Sequence, residues 1–307
     1  MQYYIYIRKD TMPSSCTAPI NIADNEVTGD CSLKCTYQIN YGMSSPTIVN
    51  MGDCLALKEF GPTCTAKYND QDMIVTEARF YFPSLHKFQG GRKSGEMLII
   101  HEGYGKKLIV SVPIVAVGTS APSGLGNTQI TSMFTQGAKS TPNKEETSLL
   151  KVNNFSLNNV IPTKVPFYSY TGSKPYLPCG GNDTTYIVFA DENSAINVPL
   201  IATEKIKRIL VSSDATIHST PTSGLYINKK GVKTTNMTDD IYIDCNPVDA
   251  EGNILVDESE KHGGSSAGFG SGVSFEKMEP YLYIILGLAI AIGIERAMRY
   301  VLNKARD

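Results

Sequence analysis

The stretch MIVTEARFYF at residues 73–82 decides the fold class, together with EMLIIH at 96–101 and KLIVSVPIVAV at 107–117. All three are rich in β-branched or aromatic residues and are bounded by Gly, Pro or Asp. Such side chains favour extended backbone, because they pack well on a pleated, half-buried surface. The three segments are therefore predicted to be strands of a mainly β domain.

The same strand pattern returns in TTYIVFA at residues 184–190, whereas residues 129–137 and 202–210 are predicted to be helices. A Gly-rich stretch at 123–127 lacks the lysine and the strand–loop–helix pattern of a phosphate-binding loop, so it is predicted to be a turn. The sequence shows no internal repeat and no nucleophilic triad signature.

Composition excludes several classes of protein. The chain has 307 residues, of which 41% are hydrophobic and 19% charged, so it can bury a sizeable core and is not disordered throughout. Its net charge is -2, whereas an electrostatic nucleic-acid binder is far more basic. We therefore expect no nucleic-acid partner. The 4 histidines are scattered, which leaves little material for a multi-histidine metal site.

The 7 cysteines are odd in number and too few for a small disulfide scaffold. Cys31 and Cys35 have a spacing that suits zinc, but no second pair at ligand spacing follows them, so buried or partly oxidised cysteines are the favoured interpretation. The first ten residues alternate like a strand and do not resemble a secretory signal. The glycosylation sequons at Asn154, Asn182 and Asn236 are accordingly interpreted as chance matches.

The C-terminal region carries an uncharged run, YLYIILGLAIAIGI, at residues 281–294. As a helix this run is about 21 Å long, and apolar residues continue the pattern beyond it toward the roughly 30 Å that a bilayer core requires. Arg296 and Arg299 can reach headgroups, and the excess of basic residues after the run places the C-terminus on the cytoplasm-like side. The alternative is a buried core helix. The residues assigned to the membrane anchor are Tyr281, Tyr283, Ile285, Leu286, Leu288, Ile290, Ile292, Ile294, Arg296 and Arg299.

These features predict four parts. Residues 1–249 form a head, 250–279 an acidic and then Gly/Ser-rich flexible linker, 280–303 a transmembrane anchor and 304–307 a short charged tail.

Seven segments of the head, in order, resemble the α-class carbonic anhydrases. They are TAPINI (17–22), VNMGD (49–53), EARFYF (77–82), GEMLIIH (95–101), residues 108–118, FSLNNVIP (155–162) and FYSYTGS (167–173). The resemblance implies a large twisted, mostly antiparallel sheet with short helices at its surface, which makes the fold class mainly β (α+β).

The family holds zinc with three histidines, two at i,i+2 on one strand and one on its neighbour. The matching positions here are Arg79, Tyr81 and Leu98, none of which can replace neutral imidazole. His101 matches a histidine that is not a ligand, and His86 matches a structural one. The family's threonine that orients the zinc-bound hydroxide is also lost. The resemblance therefore implies no zinc, no other cofactor and no carbonic anhydrase activity, because nothing lowers the pKa of water.

A second resemblance is to carbonic-anhydrase-like proteins of large double-stranded DNA viruses, through PSLHKF (83–88), GEMLIIH and IDCNPVD (243–249). Poxvirus members combine a zinc-free head with a C-terminal anchor on the virion. The resemblance implies a minor capsid or membrane-associated protein whose head contacts capsid proteins while its helix lies in the viral inner membrane. The alternative is a surface attachment protein that binds host glycosaminoglycan or another anionic receptor.

Candidate contacts for an anionic partner are the basic residues Lys87, Arg92, Lys93, Lys106 and Lys107, in two loops predicted to lie near each other. A solvated hairpin tip is the other interpretation of the same cluster. The head lacks overall positive charge, so the structural role is preferred.

Overall fold

The computed structural model describes residues 16–118, 123–181, 183–212, 215–221 and 223–233, all within one structural unit. The predicted N-terminal strand, linker, anchor and tail lie outside the described residues. Across the described ranges, no helix is long and apolar enough to cross a bilayer.

The predicted strands form the centre of one twisted sheet. Residues 73–81 lie in β7 (Gln71–Tyr81), residues 96–101 in β9 (Gly95–Gly103) and residues 107–117 in β10 (Lys106–Val117), which confirms the mainly β prediction. The strands are β1 (Asn21–Ile22), β2 (Val27–Asp30), β3 (Tyr37–Tyr41), β4 (Thr47–Asn50), β5 (Leu55–Lys58), β6 (Cys64–Tyr68), β7 (Gln71–Tyr81), β8 (Lys87–Phe88), β9 (Gly95–Gly103), β10 (Lys106–Val117), β11 (Thr147–Leu149), β12 (Phe167–Gly172), β13 (Thr184–Val188), β14 (Ile196–Pro199) and β15 (Leu225–Asn228).

Within the described residues, 13 strands form the main sheet, in the order β11-β4-β5-β7-β9-β10-β13-β12-β15-β2. β14 also pairs with β10, and β6 joins β3 to β7. Most neighbours are antiparallel, although β10 pairs in parallel with β13 and β14. Because side chains alternate along a strand, this sheet presents two different faces.

One face packs against two helices, α1 (Leu125–Ser140) and α2 (Leu200–Lys207). In α1, Ile130, Met133 and Phe134 are buried at helical spacing, and the Phe134 ring meets that of Phe80 edge-on at 5.4 Å between centroids. Both helix predictions are confirmed, but α2 ends three residues before the predicted Leu210.

The predicted turn at residues 123–127 is wrong in part, because α1 already begins at Leu125. Gly124 precedes the helix with φ +96°, a conformation that favours glycine. Gly126 lies so close to the Asn159 carbonyl that a Cβ would be 2.1 Å from that oxygen. Gly124 therefore allows the backbone turn that precedes α1, and Gly126 allows α1 to pack closely against Asn159.

Two disulfides resolve part of the cysteine question. Cys16 pairs with Cys179, and Cys31 with Cys35, whereas Cys54 and Cys64 are buried free thiols. This agrees with the prediction of buried or partly oxidised cysteines and excludes a zinc site on the Cys31–Cys35 spacing.

Candidate functional site

The three positions that the resemblance assigns to zinc ligands lie together on the second face of the sheet. Arg79 and Tyr81 are two residues apart on β7 and therefore point to the same face. Leu98 lies directly opposite Arg79 on β9. This place in the sheet is the candidate site.

Arg79 fills the site with a fixed positive charge. Its guanidinium donates to the Glu77 carboxylate from Nε at 2.9 Å and from Nη2 at 2.7 Å, and Nη1 lies 3.4 Å from the Tyr81 hydroxyl. The Tyr176 ring lies over the guanidinium, 3.9 Å from carbon to centroid. The Arg79 and Glu77 side chains are only 13% and 15% exposed. The pair is therefore shielded from water. Ion pairs that are exposed at a protein surface are weakened by water, so this pair is stronger than an exposed one.

The residues of the site do not fit zinc. Burial disfavours the charged form of Arg79, but Tyr81 and Glu77 outweigh it and raise the Arg79 pKa, so the guanidinium stays cationic and repels a metal ion. Burial raises the pKa of Tyr81, which keeps its phenol neutral. Leu98 offers no lone pair. Across the described part of the chain, no group of three His, Cys, Asp or Glu residues is placed to hold a metal.

The thiol of Cys54, which lies beside Tyr81, does not act as a nucleophile in the site. Its thiol is buried, and burial together with nearby Asp53 raises its pKa to about 12. A cysteine reacts as the thiolate, so this thiol is inert at neutral pH.

A short segment, residues 173–179, follows β12 and lies over the site. Thr17 and Ser173 fix its start by reciprocal hydrogen bonds, with N–O distances of 3.0 and 2.9 Å. Cys179 fixes its end through the disulfide to Cys16. Because Tyr176 from this segment stacks on Arg79, the segment covers one side of the guanidinium.

Beside the site, on the same face of the sheet, Glu96 organises a fully buried polar network. Its carboxylate accepts from the backbone N–H of Leu85 at 2.7 Å and of His86 at 2.9 Å, from His86 Nδ1 at 2.5 Å and from the Ser111 hydroxyl. The other ring nitrogen of His86 lies 2.7 Å from the Tyr170 hydroxyl. Burial opposes the charged form of Glu96, but His86 and the other donors lower its pKa below the usual value. His86 is thus structural, as the resemblance implied.

A second series of buried hydrogen bonds fixes the His101 ring. The Tyr41 hydroxyl lies 2.7 Å from His101 Nε2, and Nδ1 lies 3.2 Å from the Leu108 carbonyl. Because a carbonyl only accepts, Nδ1 carries the proton and Nε2 accepts from Tyr41. Tyr37 hydrogen-bonds to Tyr41 in turn. Burial lowers the pKa of His101 to about 4, so this histidine is neutral at physiological pH.

The five basic residues proposed to contact an anionic partner do not form one cluster. Lys87, Arg92 and Lys93 lie near the start of β9, and Lys106 and Lys107 follow its end, about 27 Å away along the strand. The expectation that the two loops are neighbours is therefore wrong.

Several of these basic side chains are already engaged within the chain. Arg92 donates to the backbone carbonyls of Ser84 at 2.5 Å, Leu85 at 3.3 Å and Ala215. Lys93 pairs with Glu192, and Lys106 donates to Gln71 at 3.0 Å. Lys107 lies 3.9 Å from Glu102.

Sequence reasoning missed five residues of the site region: Glu77, Glu96, Lys174, Tyr176 and Thr184. Glu96 had a local signal, because an acidic residue in the otherwise apolar segment GEMLIIH requires buried partners. The other four had none, since their roles depend on contacts between distant parts of the chain.

Comparisons with known proteins agree with this architecture. No protein-family model matches the chain. Alpha carbonic anhydrase 7 of Arabidopsis thaliana is 24% identical over 189 residues, which cover 59% of this chain. The match spans 62% of that protein, less than two thirds of its length.

Solved structures show the same fold. An α-carbonic anhydrase from Thermovibrio ammonificans, in complex with sulfanilamide, matches with a TM-score of 0.58 and 15% identity, over 69% of this chain and 86% of that chain. The Photobacterium profundum α-carbonic anhydrase gives a TM-score of 0.56 and 19% identity, over 69% and 88%. Dioscorin, in complex with ascorbate, gives 0.54 and 18%, over 71% and 87%. The chain therefore has an α-carbonic-anhydrase-like fold.

Proposed function

We propose that this protein is a non-enzymatic member of the carbonic-anhydrase-like group. One observation carries the proposal: Arg79, Tyr81 and Leu98 lie together where the resemblance places the zinc ligands, with Arg79 held between Glu77 and Tyr176. A cation, a neutral phenol and a hydrocarbon side chain cannot bind zinc or activate water.

Zinc loading and carbon dioxide hydration test this proposal directly. We expect the purified full-length protein, equilibrated with excess zinc and then desalted, to retain below about 0.1 zinc per chain, since structural zinc sites need three or four ligands. Hydration measured by stopped flow should proceed at the buffer rate. An active α-class carbonic anhydrase is the positive control, and stoichiometric zinc with sulfonamide-sensitive hydration would contradict the proposal.

We further propose that the protein is structural and belongs to a virion. The supports are the sequence resemblance to viral carbonic-anhydrase-like proteins and the order of head, flexible linker and apolar C-terminal segment. In this proposal the C-terminal helix lies in the viral inner membrane and the head contacts capsid proteins. The engaged side chains of Arg92 and Lys93 favour this role over attachment to an anionic receptor, because they leave less free positive charge.

Protease protection on purified particles tests the location of the head. We expect the head to be protected in intact particles, and to become cleavable once the capsid is opened, while the protein stays in the membrane fraction. A known surface protein and a known core protein of the same particle serve as controls. Cleavage of the head on intact particles would contradict the structural role and support the attachment protein.

A further inference from the structure

Two lysines and a threonine lie close together on the face of the sheet that carries Arg79. Lys107 on β10 and Thr184 on β13 are direct partners in the parallel register. Thr184 also pairs with Gly172 on β12, and Lys174 follows Gly172 by two residues. Lys107 shares its face with Ile109, which packs in the core beneath the site, whereas Lys106 points to the opposite face.

The Lys107 and Lys174 side chains approach each other closely, and this contact, more than any other effect, lowers the pKa of Lys174. The cation of Arg79 adds to the effect. Glu77 neutralises Arg79 at 2.7 Å, but Glu102 lies 3.9 Å from Lys107 and is 55% exposed. The cluster therefore keeps a local excess of positive charge, because one screened carboxylate faces two ammonium groups.

Thr184 provides an independent observation. It is 1% exposed, and its hydroxyl makes no hydrogen bond to any other described residue. A buried hydroxyl normally has a partner, because leaving it unpaired costs free energy. The register places Thr184 directly beside Lys107 on the same face, so a hydroxyl without a partner lies next to the lysines.

We propose that Lys107, Lys174 and Thr184 form a binding site for a tetrahedral oxyanion, namely a sulfate or phosphate group. Such an anion carries charge enough to offset two ammonium groups and has oxygens for both lysines and the hydroxyl. Lys107 is 32% exposed on its side chain, so solvent has access to the site. The proposal does not depend on a virion location or on the absence of catalysis.

Calorimetric titration of the full-length protein with sodium sulfate and with inorganic phosphate, against sodium chloride at matched ionic strength, tests the site. We expect saturable binding of one anion per chain, weakened at least about tenfold by Lys107→Met or Lys174→Met, since each removes a charge-assisted contact. Lys106→Met is the matched control, because it removes the same charge from the neighbouring residue on the other face. It should change the affinity less than about twofold.

Two outcomes would overturn the site: no saturable binding by the wild-type protein, or equal weakening by Lys106→Met and Lys107→Met, which indicates diffuse attraction. Thr184→Val is a further variant that keeps the charge and should weaken binding. Glucosamine 6-sulfate and glycerol 3-phosphate, titrated in parallel, distinguish the sources of the anion. Tighter binding of the first indicates a sulfated sugar, tighter binding of the second a phosphate ester, and equal or weaker binding of both the free anion.

Discussion

Replacing Glu96 by glutamine should destabilise the protein by about 3 kcal/mol or more, because several buried donors lose a carboxylate acceptor and each unpaired donor costs about 1–3 kcal/mol. The carboxylate accepts two backbone N–H groups, a ring nitrogen of His86 and the Ser111 hydroxyl. A glutamine side chain keeps the shape but turns an NH2 group toward some of these donors, leaving them unpaired at a fully buried position. Urea unfolding of the full-length protein at pH 7.5, followed by tyrosine fluorescence, measures the change.

Glu102→Gln is the matched control for this prediction. It lies on the same strand and face, but its side chain is 55% exposed and 3.9 Å from Lys107. Surface substitutions of this kind change stability by less than about 0.5 kcal/mol. Equal effects of the two variants would show that the buried network does not hold the sheet together.

Stability should fall as the pH decreases from about 6.5 to about 4, because of His101. Its pKa is about 4 in the folded protein, against about 6.5 in an unfolded chain, so the unfolded state takes up a proton first. This stabilisation is complete above about pH 6.5, and the stability lost on lowering the pH reaches about 3 kcal/mol at about pH 4. Glu96 adds a second loss at lower pH, because its lowered pKa stabilises the fold only while the carboxylate is ionised.

Urea unfolding of wild type and His101→Gln at several pH values separates ionisation from packing. At pH 8 the difference between them gives the cost of altered packing alone. As the pH falls through the window, that difference should shrink, because glutamine does not titrate. A difference that stays constant from pH 8 to pH 4.5 would show that His101 does not set the acid sensitivity.

Two separate sets of polar contacts lie on the face of the sheet that carries Arg79. Glu96, His86 and Tyr170 form a connected network whose members are buried and mutually satisfied. Beside it, the Arg79 guanidinium takes its stabilisation from Glu77 and Tyr176. The two sets of contacts share no residue, so the Glu96 network does not depend on the side chain at position 79.

The sequence by itself determined the elements whose signal is local. β-branched and aromatic runs predict β7, β9, β10 and β13, because side-chain alternation and bulk act within a few residues of the chain. The resemblance also predicts that Arg79, Tyr81 and Leu98 stand where the family holds zinc, and their lack of imidazole can be read from residue type alone.

Only the tertiary structure decided which distant residues meet. The stacking of Tyr176 on Arg79, the four donors gathered by Glu96 and the contact of Lys174 with Lys107 join segments far apart in the sequence. The separation of Lys93 from Lys106 is of the same kind, because two loops that flank one strand lie at its opposite ends. Strand register and loop closure set these distances, and they result from the packing of the whole sheet rather than from any local pattern.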